Sequence, residues 1–278
     1  MQLTGYADKF SVKPGEPIEF YVSSKQLKYK AELVRVIHGD PNPKGPGFKT
    51  EPVLSDIEGD YDGHEQILYG GSHIIVSHDS SLNLEKDFTI TSWIYPTMPD
   101  SGKSQAIVTK LSKEGTKGYG FLINKRGELS LWIGDGNNSD CITSGRKLRK
   151  SNWYFVAASF DQSSGTVKIY QKPMGWTQES ERTISEKPID FNRIQFTEDP
   201  LYIAASIDAN GKHQKGFNGK IERPAIHKEV ISIDDLEKLS IDSDQVGKEN
   251  IVASWDFSVG MSTQIATDIG PNGLNGKV

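Results

Sequence analysis

The sequence has a single cysteine, Cys141, among its 278 residues, which excludes an intrachain disulfide and a thiolate cluster for a metal. It has no apolar run near the ~18–20 residues needed to cross a bilayer. Its first ten residues, MQLTGYADKF, lack the basic start and apolar segment of a secretory signal. The formal net charge of −5 leaves no basic footprint for nucleic acid. These absences predict a cytoplasmic protein with neither a membrane nor a nucleic-acid partner.

Motifs that carry catalysis are also missing. The sequence contains no HExxH pair for zinc, no Gly-x-Ser-x-Gly elbow for a nucleophilic serine and no glycine-rich phosphate loop before a helix. The six histidines are scattered. His73 and His78 are five residues apart, so they would lie on opposite faces of a strand. Cys141 has no histidine beside it, which favours a structural or exposed thiol. We therefore predict no catalytic residue in this chain.

What the sequence does contain is alternation of apolar and polar residues with a period of two. Segments rich in β-branched and aromatic residues lie between clusters of Gly, Pro, Asn and Asp, among them 18–24, 29–38, 88–96, 127–136, 152–161, 165–173, 200–207 and 250–258. Turn sequences such as Arg126-Gly127, Ser163-Ser164-Gly165 and Asn210-Gly211 separate strand-like segments. Short, regular spacing of this kind predicts an all-β, two-sheet antiparallel sandwich.

One short helix is predicted near 232–239, because Ser232 and Asp235 have the spacing of a capping box. Gly219 would allow a close backbone approach before the closing strand. Bulky side chains are expected to point into the core between the sheets, namely Phe88, Ile90, Trp93, Trp132, Trp153 and Trp255.

Composition divides the chain into four parts. We expect an N-terminal strand extension at 1–55 that packs on the sandwich, an acidic connector at 56–63 and the sandwich itself at 64–260. Residues 261–278 lack an obvious finishing element, so we interpret them as a tail leading toward a further domain. No internal repeat of fixed period is present.

Two acidic segments are candidates for calcium, because hard cations favour clustered carboxylate and carbonyl oxygens. The first is in the connector and the second is in a loop that follows a predicted strand; their candidate ligands are Asp56, Glu58, Asp60 and Asp62, and Asp135, Asn137, Asn138 and Asp140. The simpler alternative for both is a solvated polar turn. No other metal or cofactor site is predicted in these residues.

Three aromatic side chains are candidates for a sugar-stacking or partner-binding platform: Tyr95, Trp176 and Tyr202. Trp176 is the most unusual, since it lies in KPMGWTQESER outside any strand-like pattern. The alternative interpretation is that these rings cover the edge of the sandwich or pack against a partner.

The middle of the chain resembles the laminin-G-like, concanavalin A-like jelly-roll family. The resemblance rests on SSLNLEKDFTITSWIYP (80–96), GYGFLIN (118–124), GELSLWIGDG (127–136), NWYFVAASFD with GTVKIY (152–170) and FNGKIERPAIHKEVISIDDL (217–236). Each motif is weak by itself, but their order and spacing are fairly specific. The resemblance covers roughly 190 residues on the scale of one domain and implies a jelly-roll sandwich.

The flanks resemble a second, narrower family. LTGYADKFSVKPGEPIEFYVSS (3–24), the segment 29–53, WDFS (255–258) and DIGPNGLNG (268–276) are similar to parts of the large subunit of N,N-dimethylformamidases. This resemblance implies an amide hydrolase that releases formate from an N-substituted formamide. It also implies a mononuclear iron, held by tyrosine and carboxylate ligands in a larger domain after this region. Those ligand motifs cannot be matched here, so no catalytic residue is carried over.

The leading hypothesis is a non-catalytic β-sandwich module of such an amide hydrolase, serving domain packing or subunit assembly. Its expected partners are the downstream catalytic domain of the same polypeptide and other subunits, and iron is expected only in that domain. The alternative is a carbohydrate- or calcium-binding lectin-like module. A free-standing glycosidase would need paired inward carboxylates about 5–10 Å apart, which the strand patterns do not show.

Overall fold

The chain forms two compact units, Met1–Tyr69 and Gly70–Val278. They are seen in a computed structural model that describes residues 3–65, 72–175, 182–189, 193–242 and 248–278. The four-part division expected from the sequence, with its connector at 56–63, stays a prediction.

In the N-terminal unit, residues 3–65 form three antiparallel two-stranded ribbons. β1 (Leu3–Ala7) pairs with β2 (Phe20–Ser24), β3 (Lys28–Ala31) with β6 (Gly59–Asp62), and β4 (Val34–His38) with β5 (Lys49–Pro52). The segment 29–38, expected as one strand, is interrupted at Glu32 and Leu33. Within residues 3–65, Ser24 is the one buried side chain, so this unit has no apolar core.

The second unit is a sandwich of two antiparallel sheets, as predicted. The eight-stranded sheet has the order β12 (Ser139–Lys147), β11 (Glu128–Asp135), β10 (Lys117–Ile123), β9 (Gln105–Leu111), β16 (Leu201–Ile203), β7 (Ile74–Val76), β22 (Gly276–Lys277) and β21 (Ile265–Ala266). The six-stranded sheet has the order β15 (Thr183–Pro188), β14 (Thr166–Pro173), β13 (Tyr154–Asp161), β8 (Phe88–Pro96), β19 (Gly219–His227) and β20 (Ile251–Ser254). In addition, β17 (Ser206–Ile207) and β18 (His213–Gln214) pair as a two-stranded ribbon in this unit.

The core lies between the two sheets and contains fully buried rings such as Phe88, Phe121, Phe160 and Trp255. The expectation that Trp93, Trp132 and Trp153 also point inward was wrong. Successive side chains of a strand face opposite ways, and each of these three residues adjoins a core side chain, which places it on the outer face. Trp255 alone of the four predicted tryptophans is a core residue.

The predicted helix is confirmed as α1 (Ile233–Ile241). The Ser232 side chain caps it by accepting a hydrogen bond from the backbone N–H of Asp235. Its apolar side packs on the outer face of the six-stranded sheet in a second, smaller cluster made by Phe155, Ala157, Tyr170, Ile231, Leu236 and Leu239. One part of that outer face is therefore covered.

The predicted turns also form. Arg126-Gly127 joins β10 to β11, and Ser163-Ser164-Gly165 joins β13 to β14. Gly219 has φ +150°, and a Cβ there would lie 2.1 Å from the carbonyl oxygen of Tyr95. Glycine is therefore required where β19 approaches β8.

Residues 261–278 lie against the sandwich. They contribute β21 and β22, and Lys277 pairs with Ile75 of β7. The indole N–H of the buried Trp255 donates to the carbonyl oxygen of Leu274 at 2.8 Å. The segment expected as a tail is thus an edge of the larger sheet, because apolar side chains such as Ala266 and Leu274 are buried there.

Candidate functional site

The first acidic segment does not form a cluster. Asp60 and Asp62 lie in β6, at the register positions opposite Lys30 and Lys28 of β3. Asp56 and Glu58 lie in the preceding turn, and all four acidic side chains are exposed. Cross-strand pairs of opposite charge stabilise a ribbon, which is what this alternation achieves here. Calcium binding by these residues stays a prediction.

The second acidic segment forms a tight turn after β11. Asp135 Oδ1 accepts hydrogen bonds from the backbone N–H groups of Asn137 and Asn138, which lower the pKa of Asp135. Asp140 Oδ1 accepts from the N–H of Cys141 at 2.7 Å. These carboxylate oxygens therefore hold their own loop, as Asx turns do. Calcium binding here is likewise untested, and Cys141 is a free, exposed thiol.

Among the described residues, no group of three or more His, Cys, Asp or Glu side chains is placed to hold a metal ion. No helix in the described part of the chain is long and apolar enough to cross a membrane.

Tyr95 lies in an aromatic patch on the outer face of the six-stranded sheet. Its ring centroid is 5.5 Å from that of Trp153, and the Lys220 ammonium is 5.5 Å from the Tyr95 centroid. Trp93 packs on Phe155, with centroids 4.8 Å apart. The rings come from β8, from β13 and from the residue before β13, since their side chains alternate with the core residues.

Beside this patch is an open groove of about 520 Å³, which we call the aromatic groove. Its lining residues are Trp93, Trp153, Met174, Glu222, Arg223, Ser240, Ile241 and Asp242. Trp153 is 37% exposed and Met174 38%. The groove thus offers apolar surface together with a few charged groups, a composition typical of binding sites.

Glu222 and Arg223 give the aromatic groove its charge. The register between β19 and β8 shifts between Glu222 and Ala225, and Arg223 has φ +42°. Burial and the carboxylate of Asp256 raise the pKa of Glu222, whereas the Arg223 guanidinium pairs with Asp256 at 3.1 Å. Bulges re-aim side chains at sheet edges and functional sites. Sequence reasoning missed this groove because a bulge has no clear sequence signal.

Tyr202 lies on the outer face of the eight-stranded sheet, in a row that the strand register defines. Across the sheet the row runs through Cys141, Trp132, Gly120, Thr109, Tyr202, Ile75 and Lys277. Tyr202 is only 8% exposed, and the ring of His213 lies beside it at 5.7 Å. A ring covered in this way is not available as an exposed sugar platform.

His213 also contacts His73, with ring centroids 4.0 Å apart. Burial and the neighbouring His213 lower the pKa of His73. His73 lines a cavity of about 490 Å³ at one end of the sandwich, whose other walls include Ile74, Phe217 and Phe257. His78 contacts Lys110 instead. This is consistent with the expectation that His73 and His78 are separated.

Lys110 and Glu237 are ionisable groups that the sequence pattern did not single out. Lys110 is 1% exposed, and its ammonium donates to the carbonyl oxygens of Thr197 and Asp199 at 2.7 and 2.6 Å. Burial lowers its pKa to about 8. Glu237 accepts hydrogen bonds from Tyr170, Lys172 and Arg182. Lys110 thus holds the loop that contains Thr197 and Asp199 on the sandwich, and Glu237 holds α1 there.

Trp176, the third aromatic candidate, lies outside the described residues. The strand before it ends at Pro173, and Met174 lines the aromatic groove.

The fold and its exposed sheet faces define a lectin-like jelly roll. Residues 69–237 match the family described as the concanavalin A-like lectin/glucanases superfamily, in its laminin G-like branch. The chain belongs to this superfamily. A crystal structure of a Bacteroides ovatus protein, described as a candidate carbohydrate-binding protein, matches with a TM-score of 0.53 at 14% identity. It covers 98% of this chain and 66% of that one, a likeness that shows the fold alone.

Two curated relatives are more similar in sequence. The N,N-dimethylformamidase beta subunit of Alcaligenes sp is 31% identical over 298 aligned positions, covering 99% of this chain and 39% of that protein. The corresponding subunit of Paracoccus aminophilus is 32% identical, covering 100% of this chain and 39% of that protein. The chain thus spans about two fifths of the length of these relatives, and the alignment includes both of its units.

Proposed function

We propose that this chain is a non-catalytic module of the larger subunit of an amide hydrolase of the N,N-dimethylformamidase type, serving domain packing or subunit assembly. The observation that carries the proposal is the sequence match. It runs through both units of this chain while spanning only 39% of either relative. The whole relative is named for the activity, so a segment of this length is one part of a larger catalytic assembly.

The exposed surface supports a packing role. Large apolar side chains remain exposed in the sandwich at the aromatic groove, where Trp153, Met174 and Ile241 are 37%, 38% and 79% exposed. Fully desolvated aromatic side chains dominate the energy of protein interfaces. We propose the aromatic groove as one contact with the rest of the subunit or with a neighbouring subunit.

The iron implied by the family resemblance does not fit the described residues. The iron would need tyrosine and carboxylate ligands that lie close together. In the sandwich unit, the arrangement nearest to this is Tyr170 with Glu237, whose side chains are in contact. Glu237, however, already accepts hydrogen bonds from Lys172 and Arg182. Two cations beside the carboxylate oppose a bound metal cation. We therefore propose that the iron is bound outside these residues. A cytoplasmic location also remains a prediction.

The test compares two proteins, the 278-residue chain and the full-length gene product, each supplied with iron and N,N-dimethylformamide. Formate release is expected from the full-length product and not from the 278-residue chain. Turnover by the 278-residue chain above the rate without protein would contradict a non-catalytic role. Absence of formate from a folded, iron-loaded full-length product would contradict the amide hydrolase.

A second function is favoured by one observation, the aromatic groove itself. Aromatic faces beside a carboxylate such as Glu222 suit a sugar ring, which stacks on the former and donates hydroxyl hydrogen bonds to the latter. A carbohydrate- or calcium-binding lectin-like module would therefore use Trp93, Trp153 and Glu222.

A glycan array with and without calcium tests this alternative. Binding that is lost in Trp153→Ala and retained in Phe196→Ala would favour it, since Phe196 is also 37% exposed but does not line the groove. No binding on the array and no calcium-dependent shift in melting temperature would count against it.

A further inference from the structure

The N-terminal unit contains a groove of about 700 Å³ formed by its own ribbons, which we call the ribbon groove. Its apolar lining includes Leu3, Phe20, Val22, Leu33, Val34 and Tyr61. Several of them are exposed, with Phe20 at 59%, Val34 at 42% and Tyr61 at 39%. The groove is therefore a large apolar surface open to solvent.

Two of the ribbons present an apolar face to the groove. In the β1–β2 ribbon, Leu3, Gly5 and Ala7 lie opposite Ser24, Val22 and Phe20, and this face lines the groove. In the β3–β6 ribbon, Tyr29 stacks on Tyr61 with centroids 5.6 Å apart. The other face of that ribbon carries lysines opposite aspartates. The charged faces therefore suit water, and the apolar faces converge on the groove.

Ribbons of this kind do not hold themselves together. A two-stranded hairpin is marginal in water, and stability requires three or more strands with a covered apolar face. Here every sheet of the N-terminal unit has two strands, and none of the apolar side chains in residues 3–65 is buried. The unit has the strands of a small sandwich without the elements that would close it.

The charge at the groove rim indicates what would close it. Lys30 and Glu32 line the rim and pair with each other, Nζ to Oε1, at 2.6 Å. The charged groups at the rim thus neutralise one another, and the remaining lining is apolar. An occupant complementary to the groove needs an apolar face and backbone groups that can pair with strand edges. An amphipathic β-strand has both.

We propose that the N-terminal unit is an incomplete β-sandwich whose ribbon groove is filled by amphipathic β-strands from the part of the longer polypeptide outside these 278 residues. This rests on the proposed function, which supplies the longer polypeptide. The relatives support it, because they align with the ribbons and are longer than this chain. Since the alignment covers 39% of each relative, the total length of each is about two and a half times the aligned length. The occupant adds strands to the ribbons and buries the groove lining.

Amide hydrogen exchange tests the proposal in the 278-residue chain and the full-length gene product. In the full-length product, exchange at β2, β4 and β6 is expected to slow by about 100-fold or more, because local opening then requires the strands to separate from the occupant. Exchange at β10 and β13 is expected to be equal in the two proteins, which reports that the sandwich is folded in both.

Two matched variants in the full-length product locate the contact. Val22→Asp places a charge in the ribbon groove and is expected to abolish most of the added protection. Leu27→Asp introduces the same charge at a side chain that is 89% exposed and outside the groove lining, and it is expected to leave the added protection unchanged. Unchanged exchange at β10 would show that Val22→Asp has not unfolded the sandwich.

Three results would overturn the proposal. Equal exchange of the ribbons in both proteins would show that no further strands cover them. Light scattering that shows a dimer of the 278-residue chain, with protected ribbons, would make a second copy the occupant. Equal effects of Val22→Asp and Leu27→Asp would remove the groove as the contact. Formate release measured on the same full-length sample separates this inference from the proposed activity, because either can fail while the other stands.

Discussion

The two units of this protein are built from the same kind of sequence and differ in what lies on their apolar faces. In the sandwich, strands of each sheet place alternate side chains against the other sheet, and rings such as Phe88, Phe121 and Phe160 are fully buried. In the N-terminal unit the alternation is equally regular, yet Phe20 is 59% exposed and Leu3 48%. Alternation is thus enough to form strands but not enough to form a core.

The two units also differ in what their charged side chains do. In the N-terminal unit, opposite charges pair on the exposed surface, as Lys30 and Glu32 do. In the sandwich, charged groups fasten covering elements to the sheets, as Glu237 does when it joins α1 to β14 through Lys172. Exposed pairs add little stability, whereas removing one partner of a partly buried pair is costly because it leaves the other charge uncompensated. The sandwich is therefore expected to be the stable unit of the 278-residue chain.

The sharpest contrast is expected from one substitution made in both units. Phe160→Ala removes a fully buried ring and is expected to lower the free energy of unfolding by about 3–5 kcal/mol. Phe20→Ala should change it by less than about 1 kcal/mol, because that ring is largely exposed. Denaturant titration of the 278-residue chain measures both. Similar losses would mean that Phe20 is buried in solution.

Glycines at positive φ provide a second matched pair. Gly219→Ala brings a Cβ to 2.1 Å from the Tyr95 carbonyl oxygen and is expected to cost about 2–3 kcal/mol or more. Gly15, in the N-terminal unit, has φ +86° with no atom near its missing Cβ, so Gly15→Ala should cost only about 1 kcal/mol of backbone strain. Thermal unfolding of the two variants gives the comparison, and equal shifts in melting temperature would contradict the close approach of β19 and β8.

A buried histidine predicts a pH dependence confined to the sandwich. His227 is 2% exposed, its Nδ1 has no hydrogen-bond partner among the described residues, and burial lowers its pKa to about 4. Because the unfolded state binds this proton first, stability is full above about pH 6.5 and falls as the pH drops toward 4.

The loss from His227 is at most about 3 kcal/mol across that pH interval. His227→Leu should flatten this part of the pH profile, measured by denaturant unfolding between pH 4 and 7. His64→Leu, a change at an exposed histidine of the N-terminal unit, is the control. A profile of the same slope in His227→Leu would show that other groups cause it.

The smallest effect is expected at the helix contact. Hydrogen bonds from Lys172, Tyr170 and Arg182 outweigh the cost of burial and lower the pKa of Glu237 to about 2. Its contribution is therefore present above the unfolded pKa and disappears as the pH falls toward 2. Glu237→Gln should destabilise the sandwich by about 1 kcal/mol at neutral pH.

Glu32→Gln is the matched change in the N-terminal unit, where the Lys30–Glu32 pair is exposed, and it should have no measurable effect. Hydrogen exchange of α1 and β14 resolves the Glu237 effect from global unfolding. A larger loss for Glu32→Gln than for Glu237→Gln would reverse the ranking of exposed and partly buried pairs.

Much of the fold could be predicted from local sequence. The helix at Ser232, the hairpin turn at Arg126-Gly127 and the alternation of β8 each depend on residues within a few positions. The candidate sites could not be predicted in the same way. Tyr202 is a regular strand residue in sequence, and only its register beside Thr109 and the ring of His213 shows that it is covered.

The sequence by itself determined the strands, their turns and the helix, because steric and hydrogen-bonding preferences act between near neighbours. The tertiary structure decided which faces are inside. It placed three predicted core tryptophans outside, joined residues 261–278 to the larger sheet and gave the N-terminal ribbons no apolar core of their own within residues 3–65. Such outcomes depend on contacts between distant positions, as where Thr89 donates a hydrogen bond to the carbonyl oxygen of Glu229. Alternation in the sequence predicts that a strand has an apolar face. Which element covers that face is known only from the folded chain.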